Sequence, residues 1–217
     1  ESIMTQEQQK FYDIKHTSDY KTVGEDIDYK VFVDHDKKEV VLQFEESDSR
    51  EDWKHNFQFL PWPLRLDDKI IWTSRGYACA YKSASDTPIF DWFAQYLRIK
   101  EPDYKLCIRG WSFGSAMAKI AARHFTIMSG YKDWKVLDEH TTYGDVKCWV
   151  NAFYSLKKHV RVLQEYACIN DGVTWCLPLY WRDKTSRVGP KFSIRDLFKS
   201  EYYHTHYEEY DYSKYEK

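Results

Sequence analysis

The stretch Leu106-Cys107-Ile108-Arg109-Gly110-Trp111-Ser112-Phe113-Gly114-Ser115-Ala116-Met117-Ala118 decides the reading. An apolar run with strand character ends at a glycine. A serine then stands between two glycines, and a run of small residues with helical character follows at once. Tyr104 to Arg109 is therefore predicted as a strand and Ser115 to Met128 as a helix, with Gly130 as its C-cap. A serine in so tight a strand-to-helix bend presents its hydroxyl at the top of a sheet. Residues two before and two after it must come close, which Gly110 and Gly114 permit because they lack a Cβ. The helix start also turns unpaired N–H groups and a positive dipole end toward that oxygen. Glycines in such a bend can serve packing alone. The order strand, bend, helix is what makes Gly110 and Gly114 a candidate nucleophile elbow around Ser112.

Working outward, the runs Tyr29 to Asp34 and Glu39 to Phe44 are rich in β-branched and aromatic residues and read as a hairpin across His35-Asp36-Lys37-Lys38. From Gly76 to Ile99 the apolar positions Tyr77, Ala80, Tyr81, Ala84, Ile89, Trp92, Phe93, Tyr96 and Leu97 recur at helical spacing, with Pro88 starting a second helix. Lys135 to Tyr143 reads as a strand, Lys147 to His159 as an amphipathic helix, and Val160 to Ile169 as a strand. This alternation predicts an α/β fold with a mostly parallel central sheet flanked by helices. Residues 1–25 read as a polar arm or helix and residues 201–217 as a frayed tail on a single domain of 217 residues.

Composition excludes several classes. The 32 basic and 34 acidic side chains leave a net charge of −2, which favours no nucleic-acid partner. No apolar run approaches the roughly 20 residues of a membrane helix. Five widely spaced cysteines, an odd number set among apolar neighbours, predict reduced thiols and a cytoplasmic location; secretion after removal of a leader remains open. No Cys-x-x-Cys occurs, the histidines are scattered, and His204-x-His206 is a weak metal signal, so no metal is expected. The Gly110–Gly114 spacing lacks the lysine of a phosphate loop and does not fit the dinucleotide fingerprint. No cofactor is called for.

The segment around Ser112 resembles the Gly-His-Ser-Leu-Gly-Gly-Ala core of the class 3 lipases, and further pieces follow in order from about residue 29 to 210. Val41-Leu-Gln-Phe44-Glu-Glu-Ser47-Asp-Ser-Arg-Glu-Asp52-Trp53 is similar to that family's Phe-Arg-Gly-Thr/Ser segment with its Asp-Trp. Ile71-Trp-Thr-Ser-Arg75-Gly76-Tyr77 is similar to its Val-His-x-Gly-Phe, and Thr142-Tyr143-Gly144-Asp145 to its Thr-Phe-Gly-Ser-Pro. Ile169-Asn170-Asp171-Gly172-Val173 through Leu177-Pro178 resembles its Asn-x-x-Asp-Pro-Val-Pro and following Leu-Pro. The resemblance implies an α/β-hydrolase fold with chain order Ser, Asp, His.

On that pattern Asp171 is the expected acid, with Asp138 and Asp145 as reserves. Only His204 and His206 follow Asp171, and His204 has a tyrosine three residues on, as the family does; His206 is the alternative base. The Phe113 amide follows the nucleophile as one oxyanion donor, and the resemblance implies Ser47 as the second. Three departures stand out: Glu45-Glu46 where the family has Arg-Gly, Trp111 for its histidine, and Phe113 for its leucine. The implied activity is a serine ester hydrolase acting through a Ser112 acyl-enzyme on lipid or short-chain carboxylic esters. Since no amphipathic insertion separates Ile71 from Gly76, soluble or short-chain esters without strong interfacial activation are expected. Peripheral membrane contact is compatible with this. The alternatives are a non-catalytic binding module on the same scaffold and an amidase or peptidase with the same three residues.

Overall fold

The computed structural model describes residues 29–34, 36–44, 58–86, 103–132, 137–150, 156, 160–175, 180–181, 185–191 and 193–215. Val40, Val41, Leu42 and Phe44 are all buried, so strand β2 (Glu39–Phe44) has no solvent face. It pairs antiparallel with β1 (Tyr29–Asp34), from Tyr29 opposite Phe44 to Asp34 opposite Glu39, which is the expected hairpin. Its turn is closed by the Lys37 amide donating to Asp34 Oδ1 at 2.9 Å.

A second hairpin, β3 (Pro61–Leu66) and β4 (Lys69–Ser74), was not legible in the sequence. Pro61 and Pro63 cannot donate to a ladder, which disguises a two-stranded ribbon where such residues are tolerated. The ribbon turns at Asp67, whose φ is 51°. Helix α1 (Arg75–Ser85) begins immediately after β4, with the Ser74 hydroxyl accepting from the Tyr77 amide. Tyr77, Ala80, Tyr81 and Ala84 form its buried stripe, as their spacing predicts.

The other strands are parallel: β5 (Lys105–Trp111), β6 (Leu137–Tyr143), β7 (Val160–Cys168) and the short β8 (Ser186–Val188). The sheet order is β1-β2-β5-β6-β7-β8, with only the β1–β2 pair antiparallel. Between β5 and β6 runs helix α2 (Phe113–Lys132). Ala116, Ala118, Ala121 and Ala122 on it are fully buried, and their small side chains let the helix lie close to the sheet. Three expectations are corrected. The helix continues through Gly130, where a cap was predicted; one glycine costs a long, well-packed helix only about 1 kcal/mol. Residues 147–150 are not helical, because Trp149 pairs antiparallel with Trp181 as an isolated bridge. The rest of that predicted helix, apart from Leu156, lies outside the described residues, as do the N-terminal arm and the helix predicted from Pro88.

The third correction concerns the tail. Helix α3 (Ser200–Thr205) and the turns after it fold back onto the sheet. Tyr207 is fully buried, and Tyr212 packs against Tyr143 and Tyr166 at ring distances of 5.3 and 4.6 Å. Tyrosines bury large apolar faces while their hydroxyls reach polar partners, so a segment that reads as polar can pack firmly. None of the described helices is long and apolar enough to cross a membrane. Because Phe44 is fully buried in the core, Phe44→Ala is expected to cost about 3–5 kcal/mol, read as a lowered urea midpoint with unchanged slope.

Candidate active site

Ser112 lies in the bend between β5 and α2 with φ at 54°, a left-handed conformation that costs a non-glycine residue roughly 1–2 kcal/mol. Two hydrogen bonds secure it: its amide donates to the Tyr143 carbonyl at 2.9 Å, and its carbonyl accepts from the Ser115 amide at 2.9 Å. Gly110 stands where strand and helix approach most tightly. A Cβ there would lie 2.2 Å from the Gly114 carbonyl oxygen and 2.8 Å from the Ala118 Cβ, well inside contact distance. Strand and helix therefore cross at a separation that only glycine permits.

Three of the predicted residues meet at this bend. His204 Nε2 lies 2.6 Å from Ser112 Oγ, and His204 Nδ1 lies 2.7 Å from Asp171 Oδ2. A carboxylate only accepts, so Nδ1 carries the proton toward Asp171 and Nε2 is left to accept from the serine hydroxyl. Ser112, His204 and Asp171 are all buried, Asp171 completely. The low polarity around them strengthens each hydrogen bond in the series.

Asp171 is held from several sides. Its Oδ1 accepts from the Val173 amide at 2.9 Å, and its Oδ2 also accepts from the Tyr207 hydroxyl at 2.9 Å. That hydroxyl in turn accepts from the Cys168 amide at 2.6 Å. Burial, and then the neighbouring Asp171 carboxylate, push the Tyr207 phenol well above its ordinary value, so it stays a donor. The Gly172 amide donates to Ser200 Oγ at 2.7 Å, tying the Asp171 turn to the start of α3. Sequence reading used Tyr207 only as a spacing marker and did not single out Ser200. Gly144 also matters: its φ is 60°, and a Cβ there would lie 3.1 Å from His204 Cε1.

The departure at Trp111 has a structural use. Its indole N–H donates to the His204 carbonyl at 3.3 Å, and its ring packs edge-on against Tyr207 at 5.4 Å. The alternative base, His206, stacks on Tyr202 at 4.0 Å, and its Nδ1 lies 2.8 Å from the Tyr202 carbonyl. Of the reserve acids, Asp138 accepts from the Leu106 amide and pairs with Arg161, while Asp145 pairs with Lys119. Phe113 is the first residue of α2, so its amide has no acceptor within the helix. Ser47 and Glu45-Glu46 lie outside the described residues.

Among the described residues, Glu39, Cys107 and Glu139 form one cluster of metal-ligand types. The Arg109 guanidinium already bridges its two carboxylates at 3.2 Å each. Burial, then Glu139 and Glu39, push the Cys107 thiol up to about 12.

The fold, unlike the site, can be compared with solved structures. The chain has the fold of the fungal lipases. It superposes on the Rhizomucor miehei triacylglyceride lipase with a TM-score of 0.60 at 17% identity, over 78% of this chain and 63% of that one. For the mono- and diacylglycerol lipase of Aspergillus oryzae the score is 0.59 at 20% identity, over 81% and 62%. For an MDLA variant of Penicillium cyclopium it is 0.60 at 20% identity, over 90% and 86%. The chain thus spans about three-fifths of the length of the first two. No protein-family model and no curated protein sequence matches it.

Gly110→Ala should disrupt the bend without touching any of the three hydrogen-bonded side chains. The expected result is a thermal midpoint lowered by several degrees and loss of Ser112 reactivity, measured together on one preparation. An unchanged midpoint would mean that the strand and helix can separate freely.

Proposed function

We propose that the protein is a serine ester hydrolase. The observation that carries this reading is the unbroken series Ser112 Oγ, His204 Nε2, His204 Nδ1, Asp171 Oδ2, with end contacts of 2.6 and 2.7 Å. His204 takes the Ser112 proton as Oγ bonds to the ester carbonyl carbon, and Asp171 stabilises the resulting imidazolium. The carbonyl π electrons move onto oxygen, where the Phe113 amide and, by resemblance, Ser47 are the donors that receive the charge. The carbonyl re-forms as the carbon–alkoxide bond breaks, and His204 protonates the departing alcohol. Water then adds to the acyl-enzyme with His204 again as base, releasing the acid and restoring the Ser112 hydroxyl.

A non-catalytic scaffold would leave no reason for hydroxyl, imidazole and carboxylate to stand in series, so the geometry supports hydrolysis over a pure binding module. Amide and peptide substrates use the same proton transfers and are separated from esters only by the leaving group. The four described cysteines, Cys79, Cys107, Cys148 and Cys168, are free thiols, which suits a cytoplasmic setting. A fluorophosphonate probe tests the reading. Wild-type protein should be labelled and Ser112→Ala should not, while His204→Ala should lose about 10⁴-fold in rate and His206→Ala should stay within about twofold. Label that persists in Ser112→Ala would refute it.

We propose lipid esters as the substrate class, with peripheral contact through the turn before α3. Residues 185–200 carry Arg187, Lys191, Arg195 and Lys199 against Asp196 alone. Between these charges Ile194 is 75% and Phe198 94% exposed, and nearby Trp175, under the Arg187 guanidinium, is 53% exposed. Exposed apolar groups interleaved with cations suit an anionic lipid surface, each cation adding about fivefold to partitioning. Sedimentation with phosphatidylserine vesicles should exceed that with phosphatidylcholine. Ile194→Ser with Phe198→Ser should abolish the excess and leave hydrolysis of dissolved p-nitrophenyl acetate unchanged. Equal sedimentation with both lipids would exclude this contact.

A further inference from the structure

Helix α2 carries one side chain its small, apolar face does not call for. Lys119 lies two turns beyond Ser112 and is completely buried. Its Nζ is 2.5 Å from Asp145 Oδ1, 3.9 Å from Glu165 Oε1, and donates to the Val146 carbonyl at 2.9 Å. Burial alone would lower the ammonium's pKa; Asp145 and then Glu165 outweigh it, so the charge is kept. Beyond Glu165, His140 is buried and lowered to about 3, by burial and then by Lys119, so it adds no second cation.

A buried ion pair is a poor device for stability, because a well-packed apolar pair of equal volume usually does as well or better. The pair's surroundings suggest another use. Asp145 also accepts from Thr142 Oγ1 at 3.1 Å and Thr185 Oγ1 at 2.7 Å, and its amide donates to the Tyr166 carbonyl at 3.0 Å. The Val146 amide donates to Ser115 Oγ at 3.1 Å. The far side of the same turn faces the relay. The Tyr143 carbonyl accepts from the Ser112 amide, and Gly144 lies against the His204 ring and the Ser112 nitrogen.

We infer that the Lys119–Asp145 ion pair is a positioning device: from inside the core it fixes the turn Tyr143–Val146, on which both the Ser112 amide and the His204 imidazole are seated. Lys119 touches no reacting atom. It acts through the turn, holding Oγ and Nε2 at transfer distance, where small displacements cost large factors in rate. The inference rests on the acyl-transfer reading above.

The test removes the pair, Lys119→Met with Asp145→Asn, in a Glu165→Gln background, so that no buried carboxylate is left facing a lost ammonium. The expected variant keeps its thermal midpoint within a few degrees and its KM for p-nitrophenyl butyrate within about threefold. Its kcat and fluorophosphonate labelling rate should fall by about 10- to 100-fold. The downfield Nδ1–H proton resonance of His204 should broaden or shift. A folded triple variant with wild-type kcat, labelling and resonance would overturn the inference. Should that variant not fold, Thr185→Val loosens Asp145 while keeping the pair, and is expected to lower kcat several-fold with KM unchanged; an unchanged kcat there would equally overturn it. A wild-type chain that took no label would instead refute the acyl-transfer reading, and this role with it.

Discussion

The site depends on one constrained bend. With φ at 54°, Ser112 holds a conformation that its side chain disfavours, and the chain keeps it there by closing strand on helix across Gly110. The parallel sheet brings the carboxyl ends of β5, β6 and β7 to one level, so the segments leaving them converge on that bend. Gly144 follows β6, Asp171 follows β7, and Ser112 follows β5. Convergence of loops at the carboxyl edge is what an open α/β sheet offers chemistry. Strain at one residue is tolerable because packing on every side over-determines it.

The remaining member, His204, arrives from a segment with little secondary structure of its own. A six-residue helix is too short to persist unaided. Its position is imposed by the tyrosine cluster behind it, where Tyr207 packs on Trp111 while its hydroxyl links Asp171 to the Cys168 amide. Burial of that ring and orientation of the carboxylate are therefore one event. The imidazole is thus held by tertiary packing rather than by the helix that carries it.

Legibility in the sequence followed how local each signal is. β1, β2, β5, β7 and the buried stripe of α1 were readable because their own residues are rich in strand formers or recur with helical period. Ser112, Asp171 and His204 were singled out through the glycine bend, chain order and the resemblance, none of which measures a distance. What escaped depends on partners far away in the chain. Residues 147–150 look amphipathic, yet Trp149 is held extended by Trp181. β8 is three residues long and is specified by its pairing with β7. Lys119 was invisible for the opposite reason: a lysine on a helix is ordinarily solvated, and its burial becomes meaningful only beside Asp145.

Trp111 and the tyrosine-rich tail form one packed unit. A histidine beside the nucleophile could not supply a surface as broad as the indole that packs edge-on to Tyr207 and tilts against Tyr143 at 5.6 Å. Nor would its shorter ring carry a donor as far as the His204 carbonyl, which Trp111 Nε1 reaches at 3.3 Å. The indole thus grips the backbone of the base-bearing helix, while the same helix presents its imidazole to the adjacent residue. His204 is consequently held from two consecutive residues: Ser112, just past the end of β5, meets its imidazole, and Trp111, the last residue of the strand, meets its carbonyl.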